Sequence, residues 1–137
     1  MSEEESREGK SLLDTGLRIR KEVLGEEYVR AAMAGVTEFA KPFQELVTEY
    51  CWGSIWSRPG LERRERSMIN LAMLTALNRA SELKIHVKGA LRNGCTEEEI
   101  REVLMQATIY CGVPAGVEAF KVARQAISEF RESGDRS

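Results

Sequence analysis

Histidine, proline and cysteine are scarce in this 137-residue chain, which has one histidine, three prolines and three cysteines. The cysteines are Cys51, Cys95 and Cys111, and no two of them have the spacing of a C-x-x-C pair. With a single histidine beside them, they do not suit a structural zinc site. We therefore predict no metal site, and three free thiols in a reducing compartment.

Long apolar runs and a strong charge of either sign are also missing. No stretch approaches the roughly 20 apolar residues that a membrane helix needs, and the formal net charge of −2 gives no reason to expect nucleic-acid binding. The first ten residues, MSEEESREGK, are acidic and lack the apolar segment of a secretory signal. We expect residues 1–10 to be disordered and the protein to be cytoplasmic.

Alternating apolar and polar residues, the pattern of a strand, do not persist anywhere, whereas helical spacing recurs along the chain. The pattern predicts a single all-α domain over residues 11–131, a bundle of about six or seven helices. An Arg-Pro-Gly sequence at 58–60 ends one helix. Thr96 and Glu99 have the spacing of a capping box at the start of another.

The most unusual stretch is YCWGSIWSRPGLERRERS at 50–67, in which Trp52 and Trp56 share a helical face at i,i+4. Gly53 lies between them and costs a helix about 1 kcal/mol, so we expect some group to approach the backbone there. Arg58 follows beside a rigid Pro-Gly turn, and a guanidinium fixed in this way suits a carboxylate. Packing alone explains large aromatic residues, whereas we interpret Arg58 as a ligand contact.

His86, the single histidine, has Glu82 one helical turn before it. A carboxylate beside an imidazole orients the ring and raises its pKa, which suits general acid–base chemistry near neutral pH. The same spacing is also common on solvated helices. The stretch IYCGVPAG at 109–116, with Tyr110 at its edge, is compatible both with a pocket-lining loop and with a tight turn between two helices.

The run W-G-x-I-W-x-R-P-G-L resembles the carboxymuconolactone decarboxylase family, as does ELKIHVKGALRNGCTEEEIREVLMQATIYCGVPAG, and the resemblance extends from about residue 19 to 127. It implies an all-α fold of the alkylhydroperoxidase D-like type and assembly into homo-trimers or homo-hexamers. Assembly agrees with the segment 68–77, which is apolar on most sides and is predicted to be wholly buried. Peroxidase-related members use a C-x-x-C pair, but the equivalent positions here are Arg79 and Glu82, which favours the decarboxylase branch.

The resemblance implies cofactor-free loss of CO2 from 4-carboxymuconolactone, giving 3-oxoadipate enol-lactone in the catabolism of protocatechuate. This dicarboxylate lactone carries its own electron sink, so that loss of CO2 leaves a dienolate. The resemblance also implies a role for each candidate residue. Arg58 binds the acetate carboxylate, Trp52 and Trp56 form an apolar wall that excludes water, and Tyr110 contacts the substrate. His86, oriented by Glu82, stabilises and protonates the dienolate.

Three other interpretations remain open at this stage. The first is a peroxidase-related thiol redox protein of the same fold that uses Cys51, Cys95 or Cys111. The second is a decarboxylase-like enzyme that acts on a different lactone or β-keto acid. The third is a non-catalytic helical module that self-assembles through its apolar helix.

Overall fold

The computed structural model describes residues 11–134, in which all the regular structure is helical. The helices are α1 Leu12–Leu24, α2 Glu26–Ala34, α3 Lys41–Val47, a π-helix Thr48–Ile55 that continues α3, α4 Arg63–Ala76, α5 Ala80–Arg92, α6 Glu97–Cys111 and α7 Val113–Ser133. The prediction of an all-α chain with six or seven helices is confirmed. The expected disorder of residues 1–10 lies outside the described residues. None of these helices has the length and hydrophobicity that crossing a bilayer requires.

The chain divides into two compact units, one ending at Gly60 and the other beginning at Leu61. The N-terminal unit contains α1, α2, α3 and the π-helix, and the C-terminal unit contains α4 to α7. The Arg-Pro-Gly sequence predicted to end a helix lies at this boundary. The assignment of residues 11–131 to a single domain stays a prediction.

In the N-terminal unit, α1 packs directly on the backbone of the π-helix through two glycines. A Cβ atom on Gly53 would lie 2.6 Å from the carbonyl oxygen of Leu12, and one on Gly16 would collide with the carbonyl oxygen of Thr48. The expectation that something approaches the backbone at Gly53 is therefore confirmed. The approaching group is the α1 backbone, so this glycine serves the packing of the unit.

The helix that leads into the two tryptophans changes its pitch along its length. It begins at Lys41, with Pro42 in its first turn, and the Thr37 hydroxyl accepts the Ala40 N–H at 3.3 Å in the preceding turn. From Thr48 onward it is a π-helix, in which the Trp56 N–H donates to the Cys51 carbonyl at 3.0 Å. Such segments are rare and frequently lie at functional sites.

The C-terminal unit is built around a core of aliphatic side chains from α4 to α7, including Leu71, Val87, Ile100 and Leu104, all of which are fully buried. The predicted capping box at the start of α6 is confirmed. The Thr96 hydroxyl accepts the Glu99 N–H at 3.0 Å, and the Glu99 carboxylate accepts the Thr96 N–H at 2.9 Å. These bonds satisfy two N–H groups that the helix itself leaves unpaired.

The connection between α6 and α7 is a single residue, Gly112, with φ of 105°. This positive φ is one that glycine adopts without strain. Gly116, one turn into α7, packs closely against the side chain of Thr108 on α6. Of the two interpretations of the stretch at 109–116, the structure therefore supports the tight helix–helix turn.

Segment 68–77, which we predict to be wholly buried with the help of another subunit, is only partly buried within this chain. Leu71 is fully buried, but Ile69, Met73 and Leu77 are 45%, 49% and 64% exposed. The physical reason is that α4 packs on α5 and α6 along one side only, although its sequence is apolar on most sides. The opposite side of α4 is an apolar surface in the single chain.

Candidate active site

The predicted site residues of the N-terminal unit are Trp52, Trp56 and Arg58. The two indole rings stack, with centroids 4.9 Å apart and planes inclined by 22°. Trp52 is 4% and Trp56 5% exposed, so the packing role left open by the sequence is part of their function. Arg58 lies in the exposed turn that follows, and its backbone N–H donates to the Ile55 carbonyl at 3.1 Å.

His86 lies on α5 in the C-terminal unit and is partly buried, while Glu82 one turn earlier is exposed. Burial lowers the pKa of His86 from its ordinary 6.5 to about 4, and the charge of Glu82 raises it by less. Glu82 thus raises the pKa of His86 as predicted, but the expected pKa near neutrality is wrong, because desolvation of the imidazolium outweighs attraction to a solvated carboxylate. At neutral pH, His86 is an uncharged imidazole with one N–H donor.

The helix that carries His86 is held to α7 by a cluster of charges. The ammonium groups of Lys84 and Lys88 lie 2.8 and 3.4 Å from a carboxylate oxygen of Glu129. The hydrogen bond from Lys84 is the main cause that lowers the pKa of Glu129. These pairs flank His86 along α5 and link this helix to α7 at the surface.

Tyr110, the last predicted substrate contact, lies near the end of α6 and is 81% exposed. The neighbouring Ile109 is 79% exposed, and Val113 and Val117 on α7 are each 65% exposed. These three aliphatic residues help to line an open apolar groove of about 720 Å³. The tyrosine thus belongs to an exposed, mainly apolar region of the C-terminal unit, and its contact with substrate stays a prediction.

Arg20 is not among the residues that the sequence predicts for the site. It lies on α1, is 8% exposed, and donates from Nη1 to Gln44 Oε1 at 3.1 Å and to Thr48 Oγ1 at 3.2 Å. Burial lowers the pKa of this guanidinium. Its signal in the sequence is an arginine within the buried stripe of α1, between Ile19 and Val23.

The three cysteines are free thiols, as predicted, with Cys95 buried, Cys51 partly buried and Cys111 exposed. Burial is the main cause that raises the pKa of both Cys51 and Cys95. The Trp56 side chain forms a hydrogen bond with Cys51, which opposes this rise. A raised pKa reduces the fraction of reactive thiolate, so neither thiol has the environment of a redox-active cysteine.

Comparison with known proteins tests the family that the sequence motifs suggest. Residues 41–125 match the carboxymuconolactone decarboxylase family. The chain belongs to this family. The match includes the stacked tryptophans, Arg58, His86 and Tyr110, and it confirms the resemblance that the sequence suggested.

Named relatives extend the similarity over most of the chain. Nitrosuccinic acid decarboxylase of Metarhizium robertsii is 44% identical over 124 residues, which cover 90% of this chain and 87% of the relative. The 4-carboxymuconolactone decarboxylase of Acinetobacter baylyi is 37% identical over 114 residues, covering 83% and 85%. An uncharacterized 15.0 kDa protein of Paracoccus denitrificans is 27% identical over 115 residues, covering 77% and 86%. Both relatives with a named activity are decarboxylases, which supports a decarboxylase activity for this chain.

Proposed function

We propose that this protein removes CO2 from a small dicarboxylic acid in which the leaving carboxylate is bonded to a carbon next to an electron sink. The observation that carries the proposal is the partly buried, neutral imidazole of His86 in a chain whose named relatives are decarboxylases. The first candidate substrate is 4-carboxymuconolactone, as an intermediate of protocatechuate catabolism in the cytoplasm. The second is nitrosuccinic acid, which the higher identity of 44% favours.

The two candidate substrates share the chemistry that makes cofactor-free decarboxylation feasible. The lactone carries one carboxylate on a ring carbon and another on an acetate arm, and its conjugated carbonyl accepts electrons. In nitrosuccinic acid the nitro group is the acceptor, and a second carboxylate again lies one carbon away. In both compounds the electron pair of the broken C–C bond has an acceptor within the molecule, so the protein needs only to bind the acid and stabilise the new anion.

His86 is proposed to act at the acceptor group. As the C–C bond breaks, CO2 leaves as a neutral molecule and the electron pair moves onto the carbonyl or nitro oxygens. The N–H of neutral His86 donates a hydrogen bond to the oxygen on which charge develops. After cleavage the carbon takes a proton from a water molecule, and the hydroxide left behind is neutralised by the solvent. His86 stays neutral throughout, because loss of its one N–H proton would leave a strongly basic imidazolate. Glu82 is the proposed positioning residue for the ring.

Binding of the dianion is assigned to the N-terminal unit. Arg58 contacts a carboxylate, since a guanidinium beside a rigid turn loses little conformational freedom when it binds. The stacked pair Trp52 and Trp56 provides an apolar wall that keeps water from the leaving carboxylate. Poorer solvation of that carboxylate favours its conversion to uncharged CO2. Tyr110 is proposed as an additional contact in the C-terminal unit.

Assembly of several copies, as a homo-trimer or homo-hexamer, is part of the proposal. Its support is the amount of apolar surface that single chains expose on α4, α6 and α7, including Met73, Leu77, Ile109 and Val117. Burial of such surface drives protein association. Light scattering on the purified protein would measure the mass of the particle, and a monomer at micromolar concentration would contradict this part of the proposal.

The proposal is tested by incubating the protein separately with 4-carboxymuconolactone and with nitrosuccinic acid and measuring CO2 release. We expect turnover of one of them, and the larger kcat/KM identifies the substrate. His86→Ala should lower kcat by about 10²–10³, the usual cost of removing one hydrogen bond to a developing oxyanion. Ser81→Ala, at the exposed start of the same helix, is the matched control and should keep the normal rate. No CO2 from either acid would contradict the proposed function.

A further inference from the structure

The guanidinium of Arg20 is a buried cation surrounded by neutral groups. Its Nη1 donates to the side chains of Gln44 and Thr48 and lies 3.8 Å from the sulfur of Met33. Within residues 11–134 its Nε is buried without a hydrogen-bond partner, and no carboxylate forms an ion pair with it. Other arginines of the same unit do have carboxylates, because Arg18 pairs with Glu22 and Arg30 with Glu26 on the surface.

A buried charge without a counterion lowers the stability of a fold, and apolar replacements of buried charges are often more stable than the original. Two neutral acceptors compensate only part of the lost hydration of a guanidinium. Groups that are costly in this way are frequent at sites where the charge is used for binding or catalysis. The environment of Arg20 therefore indicates a site for an anion that the chain itself does not supply within the described residues.

The free edge of Arg20 has the shape that a carboxylate requires. A guanidinium presents two parallel N–H groups along its Nε–Nη2 edge, which match the two oxygens of a carboxylate. The bonds from Nη1 to Gln44 and Thr48 leave this edge unused and fix the plane of the group. The thiol of Cys51 and the phenol of Tyr28 are the titratable groups whose charge acts on Arg20, and neither is a carboxylate.

We propose that the Nε–Nη2 edge of Arg20 binds the carboxylate that the substrate retains. This rests on the proposed function, because it takes the ligand to be a dicarboxylate. The retained carboxylate is the suitable one, since an ion pair with the leaving carboxylate would stabilise the ground state and slow the loss of CO2. Arg20 then holds the retained carboxylate in addition to the contact that we propose for Arg58.

The probe for this site is succinate, a dicarboxylate without an electron sink, which cannot be decarboxylated by this route. Calorimetric titration of the wild-type protein should show saturable binding of succinate, whereas succinamide, its uncharged analogue, should not bind. Arg20→Lys keeps the charge but removes the fork, and Arg20→Met removes both. We expect at least tenfold weaker succinate binding in each. Arg30→Met, which removes an exposed and paired arginine of the same unit, should bind succinate like the wild type.

A thermal melt without succinate separates a binding role from a structural one. If Arg20 is retained for an anion, Arg20→Met should melt no lower than the wild type and should lose the rise in Tm that succinate gives. Should Arg20→Met fail to fold, Arg20→Lys alone decides through its affinity. The proposal is overturned if wild-type protein does not bind succinate, or if the Arg20 variants bind it normally. Since binding needs no turnover, Arg20-dependent binding without CO2 release would contradict the proposed function and leave this site in place.

Discussion

The two units of the chain treat their charged groups in different ways. In the C-terminal unit, cations meet carboxylates across helices: Lys84 and Lys88 meet Glu129, Arg64 meets Glu99, and Arg131 meets Glu97. Its single imidazole is kept uncharged by burial. In the N-terminal unit, a guanidinium is buried among neutral acceptors. The paired charges are explained by the fold alone, so the unpaired cation and the neutral imidazole are the groups to which chemistry is most reasonably assigned.

The units also differ in how their helices meet. The N-terminal unit brings backbone against backbone at Gly16 and Gly53. The C-terminal unit instead fills its centre with side chains such as Leu71, Ile100 and Leu104. Small residues are therefore indispensable in the first unit and large apolar ones in the second. This contrast makes different substitutions and different conditions harmful to the two units.

Acid is expected to act on the C-terminal unit through His86. The unfolded chain binds a proton at this residue below about pH 6.5, whereas the folded chain binds it only below about pH 4. Between these values the unfolded state holds more protons, so the free energy of unfolding decreases as the pH is lowered through this window. His86 should account for a loss on the order of 3 kcal/mol between neutral pH and pH 4, at about 1.4 kcal/mol per unit of pKa difference.

Urea unfolding at several pH values measures this contribution, with His86→Gln as the reference for all other titrating groups. As the pH is lowered below 6.5, the unfolding free energy of the wild type should decrease more than that of the variant. A difference that stays constant down to pH 4 would show that His86 is not kept neutral by burial, and the contrast drawn between the units would fail for the imidazole.

Gly53→Ala tests the backbone packing of the N-terminal unit. The new methyl group would lie 2.6 Å from the Leu12 carbonyl oxygen, so α1 and the π-helix must move apart. We expect a loss of about 1–3 kcal/mol in unfolding free energy, the usual cost of overpacking. Gly60→Ala, where the methyl group meets nothing within 4 Å, is the matched control and should change stability by less than about 0.5 kcal/mol. Equal effects of the two substitutions would contradict the close contact.

Local sequence signals predicted the features that local chemistry determines. The Thr96–Glu99 capping box depends on residues three positions apart, and the Pro-Gly turn depends on the fixed φ of proline, so both could be seen in the sequence. The π-helix could not, because an apolar pattern with helical spacing does not reveal one additional residue per turn. The tight turn at Gly112 was one of two interpretations, since glycine and proline mark loops and turns alike.

The features that tertiary packing determines could not be predicted from local sequence signals. Glu82 at i−4 is visible in the sequence, but the burial that sets the pKa of His86 arises when α5 packs on α4 and α7. Arg20 looks like any arginine on a helix that also carries Arg18, and only its position on the buried stripe of α1 distinguishes it. Which side of α4 is covered within the chain and which side is left for another subunit could not be predicted, because composition alone does not say how many neighbours a helix has.

The pH dependence of kcat/KM tests the claim on which the mechanism depends, namely that His86 acts as a neutral hydrogen-bond donor. This ratio reports the ionisation of the free enzyme, in which the pKa of His86 is about 4. With the substrate that the protein turns over, the account predicts a kcat/KM that is constant between about pH 5.5 and 8. If kcat/KM instead falls tenfold for each unit by which the pH rises across this range, the imidazolium is the active form and the account is contradicted.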